Sequence, residues 1–213
     1  MFSSTQNGTY NLYLKQASGA GQQERLTHSD RPQIVNDWSR DGRFVLYSEA
    51  TEDRGSDLWL LPMTEKRKPI PFLQTPFNEA NGQFSSQAQG RPRWIAYASD
   101  ESGRFEVYVR AFPDLGAKWL VSSQGGNYPR WRGDGKELFY RSLEGMLMAV
   151  TLSEKAGALE RETPRPLFPV PIVSFYPYDV APDGQRFLVL QPAEDDKSQA
   201  MTVIINWQAA LPK

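Results

Sequence analysis

Apolar residues come in short bursts along this chain, each bounded by turns rich in glycine, proline, aspartate and asparagine. Four bursts are nearly continuous: Phe44-Val45-Leu46-Tyr47, Trp94-Ile95-Ala96-Tyr97, Leu138-Phe139-Tyr140 and Phe187-Leu188-Val189-Leu190. A continuous burst of this length reads as a strand covered on both faces, whereas a strand with one wet face alternates. Leu58-Trp59-Leu60-Leu61 and Val107-Tyr108-Val109 alternate in part. Glu24-Arg25-Leu26-Thr27 and Lys118-Trp119-Leu120-Val121 are more polar, as an outer edge strand should be. No window of helical length keeps a 3.6-residue period without a glycine or proline break. The pattern predicts an all-β chain.

The bursts recur. DWSRDGRFVLYSE at Asp37, RWRGDGKELFYRS at Arg130 and DVAPDGQRFLVLQ at Asp179 share one plan, and QFSSQAQGRPRWIAYAS at Gln83 is a degenerate copy. Their anchor residues, Trp38, Phe84, Trp131 and Val180, are separated by 46, 47 and 49 residues. A second motif lags by about half a period: YNLYLKQ at Tyr10, SDLWLLP at Ser56, FEVYVRA at Phe105 and GMLMAVT at Gly145. A period of roughly 40–50 residues with several strand signals is the size of a four-stranded propeller blade. Within each copy an Asp-Gly pair follows the anchor (Asp41-Gly42, Asp134-Gly135, Asp183-Gly184). Glycine accepts the positive φ of a tight hairpin turn and aspartate bonds the turn backbone. Because Trp38 and Trp131 recur at the repeat period, both are expected to pack between sheets rather than to serve as ligand platforms.

The pattern P-x-W-S-x-D-G, then an apolar strand, then D-L-W or E-V-Y, resembles the TolB-type β-propeller repeat. FNEANGQFSS, SDESGRFEVYVRAFP, RWRGDGKELFY and YDVAPDGQRFLV are similar more closely to the propellers carried C-terminally by many bacterial Ser/Thr protein kinases. The resemblance covers essentially the whole chain. It implies a β-propeller of antiparallel four-stranded blades, about five repeats at approximately 1–36, 37–82, 83–129, 130–178 and 179–213, the first and last incomplete. In a parent protein it would imply the extracytoplasmic side. Two departures stand out. Ser86 to Pro92 replaces a compact Asp-Gly turn with a longer loop, and the first repeat begins at Met1-Phe2-Ser3-Ser4, midway through its second strand. Phe2 to Thr5 is therefore expected to pair with the last repeat, or open edges of two chains to pair with each other. No kinase motif is present: there is no glycine-rich phosphate loop, H-R-D or D-F-G.

Composition adds exclusions. With 213 residues there is room for one domain with a real core. Charge is balanced, 24 Lys+Arg against 25 Asp+Glu, so no basic footprint for nucleic acid is expected. No apolar stretch approaches a membrane span, and MFSSTQNGTYN lacks the charged and apolar regions of a signal peptide. Cysteine is absent, which removes disulfide and thiolate chemistry. His28 is the only histidine; alone it builds no multi-histidine metal site, and no G-x-S-x-G elbow accompanies it. Gly19-Ala20-Gly21 fails as a dinucleotide fingerprint and reads as a hairpin loop. Gly135-Lys136 lacks a phosphate loop's upstream glycine, and Asn7-Gly8-Thr9 reads as a turn rather than a glycosylation site. No metal and no cofactor are expected.

Glu52, Asp53, Asp57, Asp100, Glu101 and Glu106 fall in loops between second and third strands at matching repeat positions, and are expected to be solvated. Some propellers are glycosidases with acids around the central channel, so an enzyme remains the alternative, as a glycosidase-type or peptidase-associated propeller fragment. The primary reading is a non-catalytic binding module, a sensor or scaffold that recognises a protein, peptide or small-molecule ligand. Its surface would be the face carrying the loops into the innermost strands and the loops between second and third strands. Tyr128, Tyr176, Tyr178, Arg104, Asp100, Asp53 and Arg54 are the candidate contacts there, since tyrosine and arginine often carry interface energy. Tyr128, Tyr176 and Arg104 are expected in loops, outside the apolar strands.

Overall fold

The structure, a computed structural model, describes residues 1–53, 55–86, 91–155, 158–174 and 176–192, together with the backbone of 201–205. All regular elements among them are strands. They form five antiparallel sheets, each from one consecutive stretch of chain. The first holds β1 (Phe2–Ser4), β2 (Asn11–Leu14) and β3 (Glu24–Arg25). The second holds β4 (Gln33–Trp38), β5 (Phe44–Ala50), β6 (Ser56–Pro62) and β7 (Ile70–Leu73). The third holds β8 (Glu79–Phe84), β9 (Trp94–Ser99), β10 (Glu106–Ala111) and β11 (Lys118–Leu120). The fourth holds β12 (Asn127–Trp131), β13 (Glu137–Arg141), β14 (Met146–Lys155), β15 (Ala158–Arg161) and β16 (Arg165–Pro169). The fifth holds β17 (Tyr178–Val180), β18 (Arg186–Leu190) and β19 (Met201–Ile205).

Turn chemistry positions these strands. Gly42 has φ +73°, and its N–H donates to Ser39 O at 2.8 Å. Asp41 Oδ1 accepts from the Ser39 hydroxyl at 2.7 Å and from Arg43 N–H at 3.1 Å, closing the turn from both sides. Gly135 and Gly184 repeat this φ at +71° in the fourth and fifth sheets. The sequence pattern did not foretell one element. β14 runs past its sheet and folds back with β15 as an extra hairpin, while β16 takes the outer place.

The core lies between sheets. The bursts on β9 and β13 are buried from end to end and that on β5 from Val45 to Tyr47, with Phe44 half-buried. By contrast β18 alternates, Phe187 and Val189 buried and Leu188 37% exposed, so the fourth burst is not covered on both faces as expected. Phe112 joins the second and third sheets edge-on to Phe44 and Phe84, at 5.5 and 5.4 Å between ring centroids. Phe139 and Phe187 do the same between fourth and fifth, at 5.1 Å. Trp131 packs as expected, 7% exposed against Trp94, Val107 and Leu138. Trp38 does not. It is 39% exposed, so repetition of the anchor did not guarantee its burial.

Two further expectations are corrected. Asp57 and Glu106 are not solvated: they are 4% and 2% exposed. With Asn11 they hold one repeat position at the start of the third strand, and each is hydrogen-bonded to the far side of its own sheet. Asn11 Oδ1 accepts from Ser29 N–H at 2.8 Å, Asp57 from Gln74 Nε2 at 3.3 Å, and Glu106 from the Ser122 hydroxyl. Glu52 and Asp53 are exposed as expected. β1 pairs with β2, Phe2 opposite Tyr13, and lies against β4, where Val35 N–H donates to Ser3 Oγ at 2.8 Å. Among the described residues no pairing joins β1 to the fifth sheet.

Candidate functional site

The innermost strands β4, β8, β12 and β17 surround a channel. The residue just before each anchor points the repeat inward: Asp37, Gln83, Arg130 and Asp179 line one cavity of about 340 Å³ with Asn36, Tyr176, Tyr178, Leu188 and Leu190. That volume is near the lower end for small-ligand sites. Three of these strands carry an irregular register at its upper edge, between Val35 and Asp37, Ala80 and Gln83, and Asn127 and Arg130. Such bulges re-aim side chains where pairing is interrupted. Asn81 and Tyr128, equivalent positions within two of them, both have φ +55°. A left-handed tyrosine is uncommon, and this one is held by its surroundings.

Side chains strap neighbouring inner strands together. Asp37 Oδ2 accepts from Phe84 N–H at 2.8 Å, and its Oδ1 from Trp38 N–H at 2.8 Å. Gln83 Nε2 donates to Asn36 O at 2.9 Å. Trp131 Nε1 donates to Gln83 O at 3.2 Å, and Asn81 Nδ2 to Asn127 Oδ1 at 2.7 Å. The Tyr178 hydroxyl donates to Tyr128 O at 2.6 Å. The Tyr176 hydroxyl reaches across to Val35 O, so the segment entering the last sheet touches the first inner strand.

Charge in the channel is compact. Arg130 is 8% exposed, its guanidinium 5.7 Å from the Tyr176 ring centroid and 6.0 Å from that of Tyr178. It also lies 3.7 Å from Asp179. Asp37 keeps some accessible surface, yet its carboxylate is enclosed by the inner strands. Burial pushes its pKa up from 3.8 to about 6, against the opposing pull of the two backbone N–H donors and Arg130. Burial likewise raises the Tyr176 and Tyr178 phenols.

The channel opens at both ends. At the end where the inner strands begin, Ile34, Ala50, Ala80, Asn81, Tyr128 and Tyr176 line an entrance cavity of about 210 Å³. At the other end Trp38, Arg40, Ser85, Ser86 and Trp131 line one of about 150 Å³. Asn36 and Tyr176 line both the channel and the entrance.

The seven candidate contacts are divided by this geometry. Tyr128, Tyr176 and Tyr178 come together at the channel. Tyr128 and Tyr178 are strand residues, however, on β12 and β17, and Tyr178 is 2% exposed, so it supports the wall rather than meeting a partner. Tyr176, 36% exposed just before β17, is the accessible one. Asp100 Oδ1 accepts from Asn78 N–H at 2.9 Å and so holds the loop into β8. Arg104 is exposed at the rim and donates to Glu106 Oε1 at 2.8 Å. Asp53 is exposed in the β5–β6 turn, and Arg54 lies outside the described residues. The channel ring of Asp37, Gln83, Arg130 and Asp179 was missed. Its signal was available, since all four stand one place before the anchors that define the repeat. Among the described residues no three His, Cys, Asp or Glu side chains converge as a metal site.

No family model matches the sequence, and no curated protein matches it. Solved structures do match the fold. TolB from Acinetobacter baumannii superposes with a TM-score of 0.70 at 14% identity, covering 96% of this chain and 48% of that protein. A puromycin-hydrolyzing peptidase of Mycobacterium tuberculosis gives 0.57 at 17% identity over 86% of this chain and 35% of its own. The Cps50 (Swd1) β-propeller domain of Myceliophteria thermophila gives 0.51 at 11% over 94% and 77%. The fold is therefore a TolB-like antiparallel β-propeller arrangement, and the chain spans about half the length of the TolB protein it matches. At these identities the likeness concerns fold alone.

Proposed function

We propose that the chain is a non-catalytic recognition module whose working surface is the entrance face of its channel. The observation that carries this reading is the entrance itself: an accessible Tyr176 beside a cavity of about 210 Å³, walled by apolar side chains and by the polar groups of Asn36, Asn81 and Tyr128. Apolar walls with a few fixed polar groups are what ligand sites require. The straps between inner strands keep those walls in place before anything binds, which lowers the ordering cost of binding. The sequence resemblance to the propellers of bacterial Ser/Thr kinases supports a sensor or scaffold role, on the extracytoplasmic side of a parent protein.

A second reading rests on the channel carboxylates. Asp37, with its pKa at about 6, lines the same cavity as Arg130 and Asp179, a setting that suits acid-base chemistry near neutral pH. Against it, both Asp37 oxygens already accept backbone N–H groups, which is the work of a strap.

One selection experiment separates the two. Peptides selected from a random display library against the whole chain should lose about tenfold or more in affinity when Tyr176→Ala and Phe77→Ser are introduced, and keep it with Trp38→Ser at the opposite face. Binding that depends only on Trp38 would move the site to the other end. Turnover of a glycoside or lactone panel that disappears in Asp37→Asn would make the chain an enzyme.

A further inference from the structure

Exposed apolar side chains are unevenly spread over this molecule. Tyr10 (43%), Phe77 (40%), Leu143 (52%), Ile172 (55%), Val173 (41%) and Tyr176 (36%) all stand on loops at the entrance face. The opposite face exposes Trp38, Leu115 and, at the start of β7, Ile70, while Leu120 and Leu188 are exposed along strands. Leu143 is held over Gly125, where an added Cβ would lie 2.4 Å from its Cδ1, so its exposed position is set by packing beneath it. Apolar residues gathered on one rimmed face mark an interaction surface, whereas scattered ones do not.

Charge on the same loops is equally one-sided. The described residues there include the carboxylates Asp30, Glu52, Asp53, Asp100, Glu101 and Glu144, against Arg31 and Arg104. Both arginines are already engaged, Arg31 with Glu52 at 2.7 Å and Arg104 with the buried Glu106 at 2.8 Å. Asp30, Asp53 and Glu144 are exposed and carry no ion pair among the described residues. The hairpins of the opposite face hold Arg40, Arg43, Arg91, Arg93, Arg132 and Lys136 against Asp41, Asp134 and Asp183. A chain of nearly zero net charge is thus polarised along its channel, negative at the entrance.

Resting on the entrance-face reading, we infer that the occupant of this face is a protein segment whose apolar side chains are flanked by lysine or arginine. Its apolar side chains cover Phe77, Leu143, Ile172 and Tyr176, while its flanking cations meet Asp30, Asp53 and Glu144. The same carboxylates repel an acidic segment, which sets specificity by charge as much as affinity.

The test uses the whole chain and two fluorescent peptides with one leucine–tyrosine core, flanked by lysines in one and by glutamates in the other. Anisotropy at low salt should show the lysine-flanked peptide binding about tenfold or more tightly than the other, with the gap closing as salt screens the exposed charges. Asp30→Lys with Asp53→Lys should invert the preference. Phe77→Ser with Ile172→Ser should weaken both peptides about tenfold while the melting temperature stays unchanged, since both positions are exposed. A glutamate-flanked peptide that binds equally or more tightly, yet still responds to the serine variants, overturns the charge assignment and leaves the entrance-face reading standing. Binding of either peptide that ignores the serine variants, or no binding by either, overturns both.

Discussion

Trp38 and Trp131 occupy the same repeat position and differ in what surrounds them. Trp131 is buried against the third sheet with its indole N–H bonded to Gln83 O, whereas Trp38 is 39% exposed. Urea denaturation should therefore show Trp131→Ala losing about 3–5 kcal/mol, the usual cost of emptying a buried large aromatic site, and Trp38→Ala losing under about 1 kcal/mol. Equal losses would contradict the packing described. Asp37 gives a second residue-level test. Its folded-state pKa is raised to about 6 from 3.8, so the folded state holds the proton more tightly than the unfolded state does. The resulting stability is complete below pH 3.8 and is lost as pH rises through about 6. The stability difference between wild type and Asp37→Asn should change across that window and be flat above it. A carboxyl titration followed by NMR that places Asp37 near its ordinary value would show that burial does not dominate.

At the scale of elements, successive sheets are locked where their hairpins meet. Gly133 N–H donates to Pro182 O at 2.9 Å, and a Cβ there would lie 2.5 Å from that same oxygen. Gly133→Ala should cost about 1–3 kcal/mol by thermal denaturation, as overpacking against backbone does. A neutral effect would show that the fourth and fifth sheets can slide apart. The strands themselves were legible in the sequence because two signals coincided, continuous apolar bursts and Asp-Gly turns of known φ. The β14–β15 hairpin was not, since Ser153-Glu154-Lys155 and Glu160-Arg161 are exposed and Leu159 alone of β15 packs on the core, too little to impose a pattern. Asp57 and Glu106 misled for a related reason. A carboxylate at a strand start looks solvated until the serine or glutamine that bonds it, here Ser122 and Gln74, is placed by the fold. Tyr128 was read as a loop residue because the inner-strand bulge that carries it breaks the apolar period.

For the whole molecule, far-ultraviolet circular dichroism should show β-structure with almost no helix, and a helical fraction above about one fifth would contradict the fold. Which loops share a face was legible from topology alone, because loop positions repeat with the sheets. The channel ring had a signal in its fixed place before each anchor, but the charge polarity did not, since it emerges only when loops about one repeat apart are brought side by side. The proposed recognition surface is the entrance face. Amide hydrogen exchange of the whole chain, with and without the lysine-flanked apolar peptide, tests it most directly. Protection should gather in the loops at His28–Arg31, Thr75–Asn78, Ser142–Gly145 and Ile172–Ser174. Protection confined to the hairpins at Ser39–Arg43, Arg132–Lys136 and Ala181–Gln185 would place the working surface at the opposite end and contradict the account.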